Sequence, residues 1–280
     1  MRRNEVIDRM DAKVKLNNGV EMPYLGLGVY LLSPGKQAEA ALKHALEIGY
    51  RLFDTGRFYG NEFDVGEAVR KGGVPREELF VTTKLWNSDH GYNKAISACK
   101  GSLESLGLKY IDLFLIHWPV EGLRNDSWKA LEKMYEEGKF RAIGVSNYTI
   151  SHLEDLLEHA RIIPAVNQVE FSPFLYQRDM LEFCRQHGIQ LEAYSSLTRG
   201  IKLSNKTIVS MAQKYQKTAA QIMLRWALEH RVVVIPKSAH PERLQENANI
   251  FDFSIEPPDM EILNNLNENF RVAWDPTYIR

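Results

Sequence analysis

Four residues of this 280-residue chain invite a chemical reading before any fold is assigned: Asp54, Tyr59, Lys84 and His117. Each lies at or just beyond the end of a short apolar run. Phe53-Asp54 leads into Thr55-Gly56-Arg57-Phe58-Tyr59-Gly60-Asn61-Glu62, Lys84 sits in Val81-Thr82-Thr83-Lys84-Leu85-Trp86, and His117 in Leu115-Ile116-His117-Trp118-Pro119. Taken singly, each has an ordinary explanation: a turn aspartate, a packed tyrosine, a solvated lysine, a hydrogen-bonded core histidine. Taken together they make a proton-donating device. A free phenol titrates at about 10 and is a poor acid at neutral pH. A nearby ammonium favours the phenolate and lowers that value. With Asp54 holding Lys84 beside it, Tyr59 is expected to serve as a general acid, and His117 to orient and polarise a carbonyl oxygen. The carbonyl carbon then needs a hydride. No side chain supplies one, so a redox cofactor is expected.

The elements that must position these groups alternate along the chain. Apolar runs at 24–30, 51–55, 79–85, 111–118, 142–146, 165–170, 190–194 and 232–236 read as strands covered on both faces. Between them, 37–48, 92–106, 127–137, 151–159, 178–187 and 219–230 carry helical apolar stripes. Gly49, Gly107, Gly138 and Gly188 fall where left-handed helix ends are expected, and Thr218 where an N-cap is. Asn18-Gly19, between the short segments of 14–22, signals a hairpin. Eight candidate strands alternating with helices predict an α/β fold, a (β/α)8 TIM barrel, preceded by the N-terminal β-hairpin. Strand ends and their loops form the reactive face of such a barrel, so the four residues would meet in one pocket. The expected organisation is a flexible leader over 1–12 and a single catalytic barrel over 13–280.

Composition narrows the partners. With 35 basic and 36 acidic residues the formal net charge is −1, which gives no electrostatic reason to bind nucleic acid. No apolar run approaches the roughly 18 residues of a membrane span. Residues 1–11 are charged and lack the apolar stretch of a signal peptide. Cys99 and Cys184 have neither metal nor redox spacing, and no cluster has metal-ligand spacing, so two buried free thiols and a cytoplasmic location are expected. A monomer is expected, acting on a small-molecule carbonyl substrate. Gly26-Leu27-Gly28 continues without a third glycine opening a helix, so the open-sheet dinucleotide fingerprint is missing.

The motif Asp54-Thr55-x-x-x-Tyr59-Gly60-Asn61-Glu62 resembles the second-strand signature of the aldo-keto reductases. Leu106-Gly107-Leu108-x-Tyr110-Ile111-Asp112-Leu113, Ile116-His117-Trp118-Pro119, Gly144-Val145-Ser146-Asn147, Asn167-Gln168 and Ile235-Pro236-Lys237-Ser238 resemble other signatures of that family, in its order. The resemblance runs from about residue 14 to 275. It implies a (β/α)8 barrel with an N-terminal β-hairpin closing the barrel bottom, hydride transfer between NADPH/NADP+ and an aldehyde or ketone, and Asp54, Tyr59, Lys84 and His117 as the catalytic tetrad. It further implies Ser146, Asn147 and Gln168 at the nicotinamide carboxamide, Tyr194 stacked on the nicotinamide, and Gly28, Val29, Ser195 and Leu197 along the cofactor. Lys237, Ser238 and Arg243 would contact the adenosine 2′-phosphate and nearby phosphates, with Glu246 and Asn247 near the adenine. A lysine and an arginine at a helix N-terminus suit a phosphate on physical grounds as well.

The sequence departs from the family after Tyr194. Ser195-Ser196-Leu197 replaces the usual Ser-Pro-Leu, and without the proline this loop is expected to be less constrained. The short connection at 198–205 leaves little chain to fold over a cofactor. Arg57 would be solvated or reach an anionic substrate group. Tyr30, Trp86 and Trp118 are expected to wall an apolar substrate cleft of broad specificity, with Phe58 a weaker candidate. Two other readings stay open. A binding or regulatory subunit would keep the cofactor site while activity became incidental, and a Schiff-base aldolase would use Lys84 as its nucleophile.

Overall fold

The computed structural model describes residues 7–279. The chain opens with a hairpin of β1 (Lys13–Lys15) and β2 (Glu21–Pro23), antiparallel with Val14 opposite Met22. Eight parallel strands follow: β3 (Gly26–Gly28), β4 (Leu52–Asp54), β5 (Phe80–Leu85), β6 (Ile111–Ile116), β7 (Phe140–Ser146), β8 (Val166–Glu170), β9 (Gln190–Tyr194) and β10 (Val233–Val234). They pair in chain order from β3 to β10. The sheet closes where Leu25 bridges Val234 in parallel and the Val234 amide donates to the Tyr24 carbonyl at 2.9 Å. The expected α/β barrel is therefore present. Among the described residues no helix is long and apolar enough to cross a membrane.

Ten α-helices among the described residues wrap the sheet. They are α1 (Lys36–Glu47), α2 (Glu62–Lys71), α3 (Tyr92–Leu106), α4 (Arg124–Glu136), α5 (Ile150–His159), α6 (Arg178–Gln186), α7 (Lys206–Tyr215), α8 (Ala219–Glu229), α9 (Pro241–Ala248) and α10 (Pro257–Asn264). Thr218 caps α8 through a reciprocal box with Gln221, and Thr149 does the same for α5 with His152. Helices α2, α7, α9 and α10 lie outside the stretches whose apolar stripes were read as helical, although the helix carrying Arg243 was expected. The start of α7 is set by the Asn205 side chain, which accepts from the amides of Thr207 and Ile208, and its end by Gln216 in the left-handed region rather than by a glycine.

The hairpin lies across the N-terminal ends of the strands. The Asn17 and Asn18 side chains donate to the carbonyls of Pro164 and Arg141, and Leu16 and Met22 are buried. Of the expected leader, residues 1–6 lie outside the described residues. Ile7 is buried, and its carbonyl accepts from the buried Arg225 guanidinium of α8 at 2.7 Å.

Alternation sorts each strand's residues between the barrel interior and the helices. On β5, Thr83 turns outward, donating to Glu62 of α2 at 2.6 Å, while Lys84 turns inward. Register places Gly144 of β7 opposite Leu115 of β6, and a Cβ on Gly144 would sit 2.5 Å from the Val166 carbonyl oxygen and 2.8 Å from Leu115 Cδ2. A backbone oxygen cannot yield cheaply. Gly144→Ala is thus expected to destabilise the fold by about 1–3 kcal/mol, read as a lowered urea midpoint; an unchanged midpoint would show that β7 and β8 can separate freely here.

Candidate active site

The interior at the C-terminal end of the barrel is polar and tightly bonded. Lys84 Nζ donates to Asp54 Oδ1 at 2.6 Å and to the Thr55 carbonyl at 2.8 Å, with both charged side chains almost wholly buried. The second carboxylate oxygen of Asp54 accepts from Gln168 Nε2 at 2.8 Å. Burial pushes the Asp54 carboxyl up from its ordinary value, and the Lys84 ammonium and the Gln168 amide counter that rise.

Tyr59 lies on a 3-10 turn, Arg57–Tyr59, just past β4. Lys84 Nζ stands 4.9 Å from the centroid of its ring, and the His117 ring meets it edge-on at 5.6 Å. Gly56 makes room for the phenol: a Cβ there would come within 3.3 Å of the Tyr59 ring. Three strand ends thus bring Asp54, Tyr59, Lys84 and His117 together. The electrostatics, however, run against the expected acidification. Burial, and after it Asp54, Tyr30 and Glu192, holds the Tyr59 phenol well above the ordinary value. The reason is the geometry of the ammonium. It is committed to a carboxylate and a carbonyl, so the phenol beside it senses a neutralised pair inside a low-dielectric barrel. His117 moves the other way. Burial first, then the Lys84 charge, keeps its imidazole well below the usual range and therefore neutral at pH 7.

A second chain of hydrogen bonds borders the first. Ser146 Oγ donates to the Gln168 carbonyl at 2.8 Å, and Asn147 Nδ2 donates to the His117 carbonyl at 3.0 Å. Tyr194 Oη donates to Asn147 Oδ1 at 2.7 Å. Asn147 and Ser195 hold left-handed backbone angles, φ 61° and 51°, a strained choice for residues other than glycine. Beyond Tyr194, Ser196 Oγ donates to the Ala193 carbonyl at 3.2 Å, and Leu197 is partly buried against the core. That hydrogen bond supplies a local restraint where proline would have fixed φ. At β3, Gly28 lies so close to β10 that a Cβ would stand 2.8 Å from the Ile235 carbonyl oxygen, and the Val29 amide donates to the Asp54 carbonyl at 2.9 Å.

The residues expected at phosphate sit apart from this cluster. Lys237 and Arg243 are exposed at the N-terminal end of α9, and neither has an ion-pair partner within 4 Å among the described residues. Ser238 is buried and accepts from the His240 amide at 3.0 Å. Glu246 accepts from the Thr218 hydroxyl, which ties α9 to α8, and Asn247 is buried.

An aromatic rim surrounds the phenol. Tyr30 packs at 4.9 Å from Tyr59, Trp86 meets His117 edge-on at 5.2 Å, and Phe58 stacks on Trp86 at 3.9 Å. Trp118 joins through Trp274, 5.6 Å away, which also approaches Trp86 at 6.5 Å. Trp274 escaped the sequence reading because it lies in an irregular tail. Its placement depends on Glu170, whose two oxygens accept the amides of Val272 and Ala273 at 2.7 and 3.0 Å. Glu192 was missed as well, although a glutamate at the centre of an apolar strand is itself a signal. Arg57 is not aimed at a substrate: its guanidinium pairs with Asp89 at 3.0 Å.

Lys84 has no exposed surface, and both of its hydrogen bonds are internal. That argues against a Schiff-base role, which needs an accessible amine. Removing one member of a buried pair leaves the other charge uncompensated. Lys84→Met is expected to cost about 3–5 kcal/mol in urea unfolding, and joining it with Asp54→Leu to recover much of that loss. A double variant no more stable than the single one would mean the two charges do not depend on each other.

Comparisons with known proteins identify the family. The profile described as "Aldo/keto reductase family" matches residues 25–268. A glyoxal reductase from Bacillus subtilis is 50% identical over 263 residues, spanning 94% of this chain and 95% of that protein. The crystal structure of an aldo-keto reductase from a Medee basin deep-sea metagenome library superposes with a TM-score of 0.92 at 46% identity, covering 95% of this chain and 99% of the other. A Bombyx mori aldo-keto reductase solved in complex with NADP superposes at 0.87 with 33% identity and 94% of each chain covered. With a buried Lys84–Asp54 pair beneath a phenol and an imidazole at the C-terminal mouth of a closed barrel, the chain belongs to the aldo/keto reductase family of nicotinamide-dependent oxidoreductases.

Proposed function

We propose that the protein is a cytoplasmic, monomeric NADPH-dependent reductase of aldehydes and planar ketones, broad in specificity, with Tyr59 as general acid in reduction and general base in the reverse direction. The observation that carries this is the junction of two groups of residues. Tyr59, His117 and the Lys84–Asp54 pair surround one point, and Gln168 joins that pair to Ser146, the residue next to Asn147. The donor set fits a nicotinamide cofactor. The Ser146 hydroxyl and the Asn147 and Gln168 amides have the chemistry to hold a carboxamide, Tyr194 offers a ring face, and Gly28, Val29, Ser195 and Leu197 line the way. Lys237 and Arg243, uncommitted at a helix N-terminus with Ser238 between them, fit the charge of a 2′-phosphate, with Glu246 and Asn247 farther along the same helix. The Bombyx mori relative is NADP-bound, and the Bacillus relative is named for a small dicarbonyl, which supports both halves of the proposal. Buried Cys99 and Cys184 suit a reducing compartment.

A bound nicotinamide supplies the hydride, and the protein manages the proton. Because its pKa is raised, the Tyr59 phenol stays protonated through the neutral range. It need not be a strong acid. The alkoxide that forms as the carbonyl is reduced is about as basic as hydroxide, far more basic than a phenolate. Transfer from the phenol is downhill once charge has developed on the oxygen. His117, neutral, can direct an N–H at that oxygen without bringing a competing charge. Tyr30, Trp86 and Trp118, joined by Phe58 and Trp274, limit water at the reacting carbon and favour flat apolar substrates.

Tyr59→Phe keeps the ring and removes the proton. Turnover with a small aldehyde is expected to fall at least about a hundredfold while cofactor affinity is retained; near-normal turnover would remove Tyr59 from the chemistry. In the wild type, reduction should be flat through neutral pH, while alcohol oxidation, which needs the phenolate, should keep rising past about pH 10, the ordinary phenol value. Arg243→Ala is expected to weaken NADPH by about 1.5–3 kcal/mol, the worth of a charge-assisted contact, with little change for NADH. Equal weakening of both, in a fluorescence titration, would exclude Arg243 as the reader of the 2′-phosphate.

A further inference from the structure

Inside the barrel, one buried carboxyl has no part in the chemistry proposed so far. Glu192 lies at the middle of β9, fully buried, and is the register partner of Gln168 on β8. Its Oε2 accepts from Gln168 Nε2 at 2.8 Å, the same nitrogen that donates to Asp54 Oδ2 at 2.8 Å. The two hydrogens of one amide nitrogen are thus divided between two carboxyl groups on different strands.

This division matters because a glutamine cannot fix its own amide. The terminal torsion is broad, and neither end of the group has a strong rotameric preference. With one hydrogen bond from nitrogen, the amide plane can still swing about the N–H···O line. With two, it is held. The reversed amide, with oxygen facing inward, would set that oxygen against the Asp54 carboxylate. The held orientation therefore turns the nitrogen into the barrel and leaves the carbonyl oxygen as the group Gln168 can offer outward.

We propose that Glu192 is a positioning residue that acts as a neutral carboxylic acid to hold the Gln168 amide in the orientation where its carbonyl accepts the NH2 of the cofactor's carboxamide. The proposal rests on the assignment of Gln168 to the nicotinamide site made above. Neutrality follows from the surroundings. Glu192 Oε1 is buried and meets no hydrogen-bond partner among the described residues, so a negative charge there would stand bare. Burial, with the Asp54 charge beside it, holds the carboxyl up at about 8, against the opposing effects of Gln168 and Lys84. A neutral acid also avoids placing a second anion next to Asp54, leaving Lys84 a single counter-charge to serve.

The test compares NADP+ with its 3-acetylpyridine analogue, in which a methyl group replaces the carboxamide NH2. Dissociation constants are measured below about pH 8 by tryptophan fluorescence for the wild type, Glu192→Gln and Glu192→Leu. The wild type is expected to prefer NADP+ by at least about fivefold, the worth of one neutral hydrogen bond. Glu192→Leu should lose about that factor of preference, and Glu192→Gln, which keeps an acceptor and mimics the neutral acid, should retain it. Packing damage alone would weaken both ligands alike and leave their ratio unmoved. Should Glu192→Leu fail to fold, Glu192→Met, unbranched and of similar reach, carries the same comparison. A wild type that binds both ligands equally overturns the proposal, as does a Leu or Met variant that keeps the full preference. The Leu or Met outcome leaves the assignment of Gln168 standing, because the wild type still distinguishes the carboxamide, whereas equal binding by the wild type removes that assignment as well. A wild type that binds neither ligand sinks that assignment and the proposal with it.

Discussion

A lysine ammonium inside a closed barrel is costly to desolvate, and much of the site's arrangement follows from meeting that cost. Lys84 has no exposed surface. Its charge is met by Asp54, and a second of its three N–H donors reaches the Thr55 carbonyl. Asp54 in turn needs a donor for its second oxygen, which Gln168 supplies, and the other hydrogen of Gln168 needs an acceptor, which Glu192 supplies. One buried cation thus links β4, β5, β8 and β9 through four side chains.

The same network changes how the phenol must be understood. An isolated ammonium beside Tyr59 would make it more acidic, whereas an ammonium already paired with a carboxylate leaves burial in command, and the phenol is held up. The buried pair then serves geometry more than acidity. It fills the space beneath the ring and fixes the end of β4, and its positive member adds to the burial that keeps His117 neutral. Under the function proposed above, a phenol whose pKa is raised stays protonated through the neutral range, which suits reduction, where the proton must be present whenever a carbonyl arrives.

Around this polar centre the barrel separates two surfaces with different chemistry. The aromatic rim is assembled from the ends of β3, β5 and β6, together with a tail strapped down by Glu170. The uncommitted cations lie beyond β10, at the start of α9. Close strand contacts at Gly28 and Gly144 keep the intervening sheet closed, so the distance between the surfaces is set by backbone rather than by flexible side chains.

By itself the sequence determined the strand–helix alternation, the hairpin, the eight-stranded closure and the identity of the four residues that converge, because apolar periodicity and residue type at strand ends are local properties. Helices α2, α7 and α10 were not read from the sequence, although α2 stops at Gly72; α7 ends at Gln216 and α10 at Asn265, without a glycine to mark the stop. Only tertiary structure decided the rest. Whether Lys84 acidifies Tyr59 depends on which atoms the ammonium already bonds, and Arg57's role on the presence of Asp89 across the loop. Glu192 and Trp274 gain their places from neighbours 24 residues away or more, through Gln168 and Glu170. Charge neutralisation and burial are properties of the assembled interior, and no run of adjacent residues encodes them.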